Sequence, residues 1–145
     1  LWAARGVTMA DLSITAANVK VTNQSLTSLG RVQYGATVTH SQPLYISTDN
    51  KYYPCDNDDT SAKASADAIA MTPGAADEYG YVVTAGPMVV GATLVVGTEY
   101  YVSSNVGGIC PRADLGSNDF ITRLGIASST TVLEVNIHAT GVQVP

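Results

Sequence analysis

The chain repeats itself, and this duplication limits the possible folds more than any other feature. The run Gly35-Ala36-Thr37-Val38-Thr39-His40-Ser41-Gln42-Pro43-Leu44-Tyr45-Ile46-Ser47 returns 56 residues later as Gly91-Ala92-Thr93-Leu94-Val95-Val96-Gly97-Thr98-Glu99-Tyr100-Tyr101-Val102-Ser103. Gly, Ala, Thr, Tyr and Ser coincide, and Val38/Leu94, Leu44/Tyr100 and Ile46/Val102 are like for like. The likeness continues with slips. Pro54-Cys55 faces Cys110-Pro111 in reversed order, Ile69-Ala70 matches Ile126-Ala127 at 57, and residues 82–86 match 137–141 at 55. The slips fall in polar loops, where insertions cost little.

Each unit reads as strands. A Gly-led strand meets a tight turn at Ser41-Gln42-Pro43 or Gly97-Thr98. A Tyr-rich strand follows, then a turn at Thr48-Asp49-Asn50 or Asn105-Val106-Gly107-Gly108, a polar loop, an Ile-Ala strand and a closing strand. Tyr, Val, Ile and Thr suit a pleated, half-buried surface. One unit alone would leave a bare sheet edge and a half-covered core. The expected fold is therefore all-β: a small barrel or two-sheet sandwich in which units 35–86 and 91–141 close on each other as a single domain over 35–142. At most one short helix is expected, over 60–68. Asp58, Asp59 or Thr60 would cap it, its alanines favour it, and Pro73-Gly74 bounds it. The second copy has Ala113-Asp114-Leu115-Gly116 in that place, so the helix reads as an insertion private to the first.

Residues 9–34 lie outside the duplication and read as an extended N-terminal arm. Leu12, Ile14, Val19 and Val21 alternate there with polar residues, so the arm is expected to pair with the body or to cross to a neighbour. Met9-Ala10-Asp11 resembles a natural start, which makes residues 1–8 an expected upstream extension without fixed structure.

Charge narrows the function. Only 13% of residues are charged against 46% hydrophobic, the reverse of a disordered chain. The net charge is −5 and the seven basic residues are scattered, which argues against nucleic acid as partner. Three basic residues and one acid fall in 1–34, and four basic and eleven acidic residues in 35–145, so a basic arm sits on an acidic body. No charge occurs between Glu78 and Glu99, but Gly80, Gly86, Pro87, Gly91 and Gly97 break this stretch into strand-length pieces, not a membrane span.

No catalytic centre, metal site or cofactor is expected. His40 and His138 fall opposite Val96 and Val83 in the duplication, as strand-surface residues would, and no G-x-S-x-G accompanies them. Asp56-Asn57-Asp58-Asp59-Thr60 with Asp67 is the best calcium candidate, but Ser61 and Asp67 stand where an EF-hand loop needs Gly and Glu. Cys55 and Cys110 could pair, yet they lack the close spacing of zinc ligands. No phosphate-cradling loop occurs. Binding is therefore expected through surface. Tyr45 and Tyr101 hold matching places and are expected in the core. Tyr52, Tyr53, Tyr79 and Tyr81, with Leu12, Ile14, Val19 and Val21 of the arm, are the candidate partner-binding residues.

The run Gly97-Thr98-Glu99-Tyr100-Tyr101-Val102-Ser103 leads into Gly107-Gly108-Ile109-Cys110-Pro111 and then Asp119-Phe120-Ile121-Thr122-Arg123-Leu124-Gly125-Ile126-Ala127, with a closing strand to Thr140-Gly141-Val142. This resembles the small β-rich capsid cement, or decoration, proteins of tailed bacteriophages. Met9-Ala10-Asp11-Leu12 and residues 44–70 are similar to the same group, and the likeness covers most of 9–142. The resemblance implies a non-enzymatic virion subunit, made in the host cytoplasm, that binds the major capsid protein on the outer surface of the head and stabilises the shell. It also implies self-association, as a homotrimer or a dimer. The alternatives are a head-fibre, tail or baseplate module and a carbohydrate-binding β module. An enzyme would need a pocket joining His40 or His138 to a carboxylate and a nucleophile.

Overall fold

The structure, a computed structural model, describes residues 11–145. The expected extension over 1–8, with Met9 and Ala10 of the arm, lies outside the described residues. The strands are β1 (Ser28–Gln33), β2 (Pro43–Ile46), β3 (Tyr52–Pro54), β4 (Ala68–Ala70), β5 (Tyr79–Val89), β6 (Glu99–Val102), β7 (Ile109–Pro111), β8 (Phe120–Ala127) and β9 (Val132–Gln143). All join one curled antiparallel sheet, so the chain is all-β and barrel-like. Its path runs β3-β2-β4-β5-β9-β8-β6-β7 and reads alike from either end: each half is a hairpin, an Ile-Ala strand and a closing strand, and the closing strands meet at the centre. β1 lies off this path, because Val82 of β5 pairs with Gly30 on one edge and Ala70 on the other.

The register fixes which residues are equivalent. Leu44 pairs with Pro54 and Tyr100 with Pro111, so the two prolines correspond at 57 and the cysteines do not correspond at all. The reversed Pro-Cys match is thereby corrected: Cys110 stands where the first copy has Tyr53, since they pair with Tyr101 and Tyr45. Ala70 pairs with Val82 and Ala127 with Leu133, which makes Val82 and Leu133 equivalent, 51 apart rather than the 55 expected for residues 82–86. The slide comes from the connection, which spans 12 residues from Ala70 to Val82 but 6 from Ala127 to Leu133. The turns obey the repeat. Ser41 (φ 59°) and Gly97 (φ 82°) are 56 apart, and Asn50 (φ 66°) and Gly107 (φ 76°) are 57 apart; all four adopt the left-handed conformation. Ser41 is held there without glycine's freedom because its hydroxyl donates to the Val90 carbonyl at 2.7 Å in a buried position.

The larger core joins both units, with Ile69, Val83, Met88 and Val90 packed among Leu94, Tyr100, Val102, Leu124 and Leu133. Neither unit could bury this surface alone. In a smaller cluster, Val38, Leu44, Ala68, Ala70 and Val82 of the first unit close around Tyr34, the last residue of the arm. Tyr101 is buried as expected, and Tyr45 is half-buried. Tyr34 is fully buried, and its hydroxyl donates to the Thr72 carbonyl at 2.7 Å. Burial pushes this phenol above its ordinary 10.0, more than the Thr72 side chain pulls it down. The unfolded chain then loses the proton first. Tyr34 is expected to contribute stability in full below pH 10.0 and to lose it as pH rises through the folded value. Urea midpoints measured upward from pH 9 should fall less steeply in Tyr34→Phe.

Two expectations change. The helix over 60–68 shrinks to α1 (Ser61–Ala64), capped as expected by Thr60, whose hydroxyl accepts from the Lys63 N–H at 3.2 Å. It stops because the next residues are needed by the sheet: the Asp67 N–H donates to Leu44, and Ala68 enters β4. The second copy has only a 3₁₀ turn, Arg112–Asp114, directly after β7, so among the described residues the α-helix is private to the first, as expected. The arm is also divided. Its last part, β1, is integral to the sheet, and the rest follows the chain's own body: the Leu12 N–H donates to Ile109 at 2.8 Å, the Thr15 N–H to Gly91 at 2.7 Å, and Lys20 bonds Val89 in both directions.

Candidate functional site

β1 and β5 present an open stretch of the sheet. Arg31 pairs with Tyr81, and Gln33 with Tyr79. Side chains alternate between faces, so Tyr79 and Tyr81 share the face of Val83. At Val83 the second unit covers that face and makes it core; at Tyr81 and Tyr79 nothing among the described residues covers it, and they stand 49% and 55% exposed. The Arg31 guanidinium lies over the Tyr79 ring, 4.5 Å from its centroid, and Leu29 continues the strip. The result is a short apolar and aromatic face with one cation held flat on it.

The other candidate partner-binding residues are engaged by the chain itself. Leu12, Val19 and Val21 pack, half-buried, on the main core, and Ile14 is half-buried. Tyr52 packs on the smaller cluster. Tyr53 stacks on Tyr45 with centroids 5.8 Å apart and donates its hydroxyl to Asp49 at 2.6 Å. Of the eight, Tyr79 and Tyr81 alone are exposed.

The histidines are apart. His138 is exposed on β9 opposite Arg123, and His40 is half-buried in a cleft with Val19, Val21, Leu29 and Met71. The acidic loop is used locally: Asp56 accepts from the Asp58 N–H, Asp59 pairs with Lys63 at 2.7 Å, and Asp67 accepts from the Ile46 N–H. A groove of about 570 Å³ between arm and body is lined by hydroxyls, including Thr15, Thr93 and Thr131, with Lys20 at its side.

One cluster was not expected. Among the described residues, Asp11, Cys110 and Asp114 form the single group of three potential ligand side chains, with one oxygen or sulfur from each inside 4.8 Å of the others. Asp11 is held by Ser103, whose hydroxyl donates at 2.6 Å, and by the Asn105 amide at 3.0 Å. Burial, then the charges of Asp11, Asp114 and Asp119, push the Cys110 thiol up to about 12. Burial and then Asp11 push the Asp114 carboxyl up. Cys55 and Cys110 are both free and buried. The signal in the sequence was weak, because Asp11 comes from the arm and the other two from the far end of the chain.

No family model matches this chain, and no curated protein matches it. What the fold defines is the class: an internally duplicated antiparallel β protein with one open aromatic face.

Proposed function

We propose that this chain is a non-enzymatic structural subunit of a tailed-phage virion, a cement protein that docks on the outside of the head and stabilises the shell. The observation that carries the reading is the open Leu29–Arg31–Tyr79–Tyr81 face on a doubled, rigid sheet. Tyrosine and arginine are the side chains that most often anchor interfaces, because they bury area at low entropic cost and keep a polar end. The face is small, which suits a subunit whose hold on a shell comes from many weak copies. The partner is the major capsid protein, and the subunit associates with itself as a trimer or a dimer.

The test is to add purified protein to heads that lack it. The expected result is saturable binding at positions that follow capsid symmetry, with a raised temperature of head disruption. Tyr81→Ala should weaken binding by at least about tenfold per site, the cost of truncating a modest anchor. Heads that take up no protein would rule the reading out, and protein found at one vertex alone would put a tail or fibre module in its place.

A further inference from the structure

Of the four buried side-chain oxygen or nitrogen atoms that lack a hydrogen-bond partner among the described residues, two lie beside Cys110 and a third belongs to a residue that shares a neighbour with it. Two are the oxygens of Asp114, each with under 1 Å² exposed and neither accepting a bond. The third is Oδ1 of Asn57, a residue with no exposed surface. Its Nδ2 donates at 2.7 Å to the Val102 carbonyl, which the Cys110 sulfur also approaches at 3.9 Å. A sealed carboxylate without a donor is costly, and one within 4.8 Å of a second carboxylate is costlier. All three orphans are acceptors, so each lacks a donor or a cation. A single shared proton would serve one carboxylate oxygen, whereas a divalent cation serves both carboxylates and the Cys110 sulfur together.

We propose that Asp11, Cys110 and Asp114 form a zinc-binding site that fastens the arm to the second unit. The donor set selects the ion. Calcium and magnesium take oxygen ligands in sixes or more, while one sulfur and two carboxylate oxygens suit a tetrahedral Zn²⁺ with water as fourth ligand. On binding, the sulfur–hydrogen bond of Cys110 breaks, the proton passes to water and the sulfur lone pair goes to the metal; no oxidation occurs. The neighbours are already in place: Ser103 and Asn105 orient Asp11, and the 3₁₀ turn Arg112–Asp114 carries Asp114 back toward β7.

The experiment uses the full chain, stripped with chelator and titrated with Co²⁺, whose thiolate complexes absorb in the near ultraviolet. The expected result is a charge-transfer band that saturates at one metal per chain and is bleached by Zn²⁺. The band should persist in Cys55→Ser and vanish in Cys110→Ser. Asp114→Asn should weaken the metal by more than the roughly tenfold typical of losing an outer-shell partner. Without metal it should melt no lower than the parent, because it removes an unpaired buried charge. A parent protein that gives no such band at stoichiometric Co²⁺ overturns the proposal, whatever the variants do. So does a band lost in Cys55→Ser and kept in Cys110→Ser.

Discussion

Replacing Tyr34 by Ala is expected to destabilise the fold by about 3–5 kcal/mol, as for other buried aromatic truncations. That is a large share of the roughly 5–15 kcal/mol that holds a domain folded. The ring has no exposed surface and fills the smaller core. Gly80 and Gly74 lack side chains where it lies: a Cβ on Gly80 would meet its hydroxyl end, and one on Gly74 would sit 2.8 Å from Cδ2. The backbone has closed around the ring, so the strands cannot collapse into the vacated space without giving up their pairing. Tyr34→Phe keeps the ring and loses only the bond to the Thr72 carbonyl, at about 1–3 kcal/mol for the acceptor left behind. Urea unfolding of the two variants should therefore separate by about 2 kcal/mol, the difference between the middles of these ranges. Equal losses would mean that the hydroxyl, and not the ring, is what this core needs.

Tyr34 also marks the limit of what could be read from the sequence. The strands at 43–46 and 99–102 were legible because the repeat held an unbroken spacing through them, and Ser41/Gly97 shows why: both copies need a left-handed residue at one turn. The closing strands were legible as strands but not in register. Gly86 and Gly141 invited a match at 55, while pairing with the Ile-Ala strands sets 51. A sequence shows which residues can be strand; the partner strand decides which of them stand side by side. Residues 65–68 failed differently. Their alanines favour helix, but bonding to β2 outweighs a preference of under about 1 kcal/mol per residue. Tyr34 follows a polar strand with no partner in the second copy, and Asp11 meets Cys110 and Asp114 only because the arm runs along the body. Neither position has a local pattern, so neither could be found without the fold. The open face was half legible: four tyrosines were free to face outward, and the sheet's reach selects Tyr79 and Tyr81.

Gly91→Ala and Gly97→Ala form a matched pair that measures how firmly the arm is held. Both glycines have left-handed φ, +83° and +82°, so alanine costs each about 1–2 kcal/mol in backbone strain. Among the described residues nothing lies within 4 Å of a Cβ added at Gly97. At Gly91 that atom would sit 2.6 Å from the Thr15 carbonyl oxygen and 2.9 Å from Cγ2 of Val19. Neither neighbour is a loose side-chain end, since one is backbone and the other a β-branched residue half-buried on the core. The arm must lift, breaking the 2.7 Å bond from the Thr15 N–H to Gly91 and uncovering Val19. Gly91→Ala is thus expected to cost about 2 kcal/mol more than Gly97→Ala. Trypsin gives a direct readout at Lys20, which is tied to Val89 while the arm is down. Cleavage limited by local opening should rise roughly 30-fold in Gly91→Ala, since 1.4 kcal/mol is a factor of ten. It should stay near the parent rate in Gly97→Ala. If the two variants are cut equally fast, the arm contributes no hold of its own, and the body closes without it.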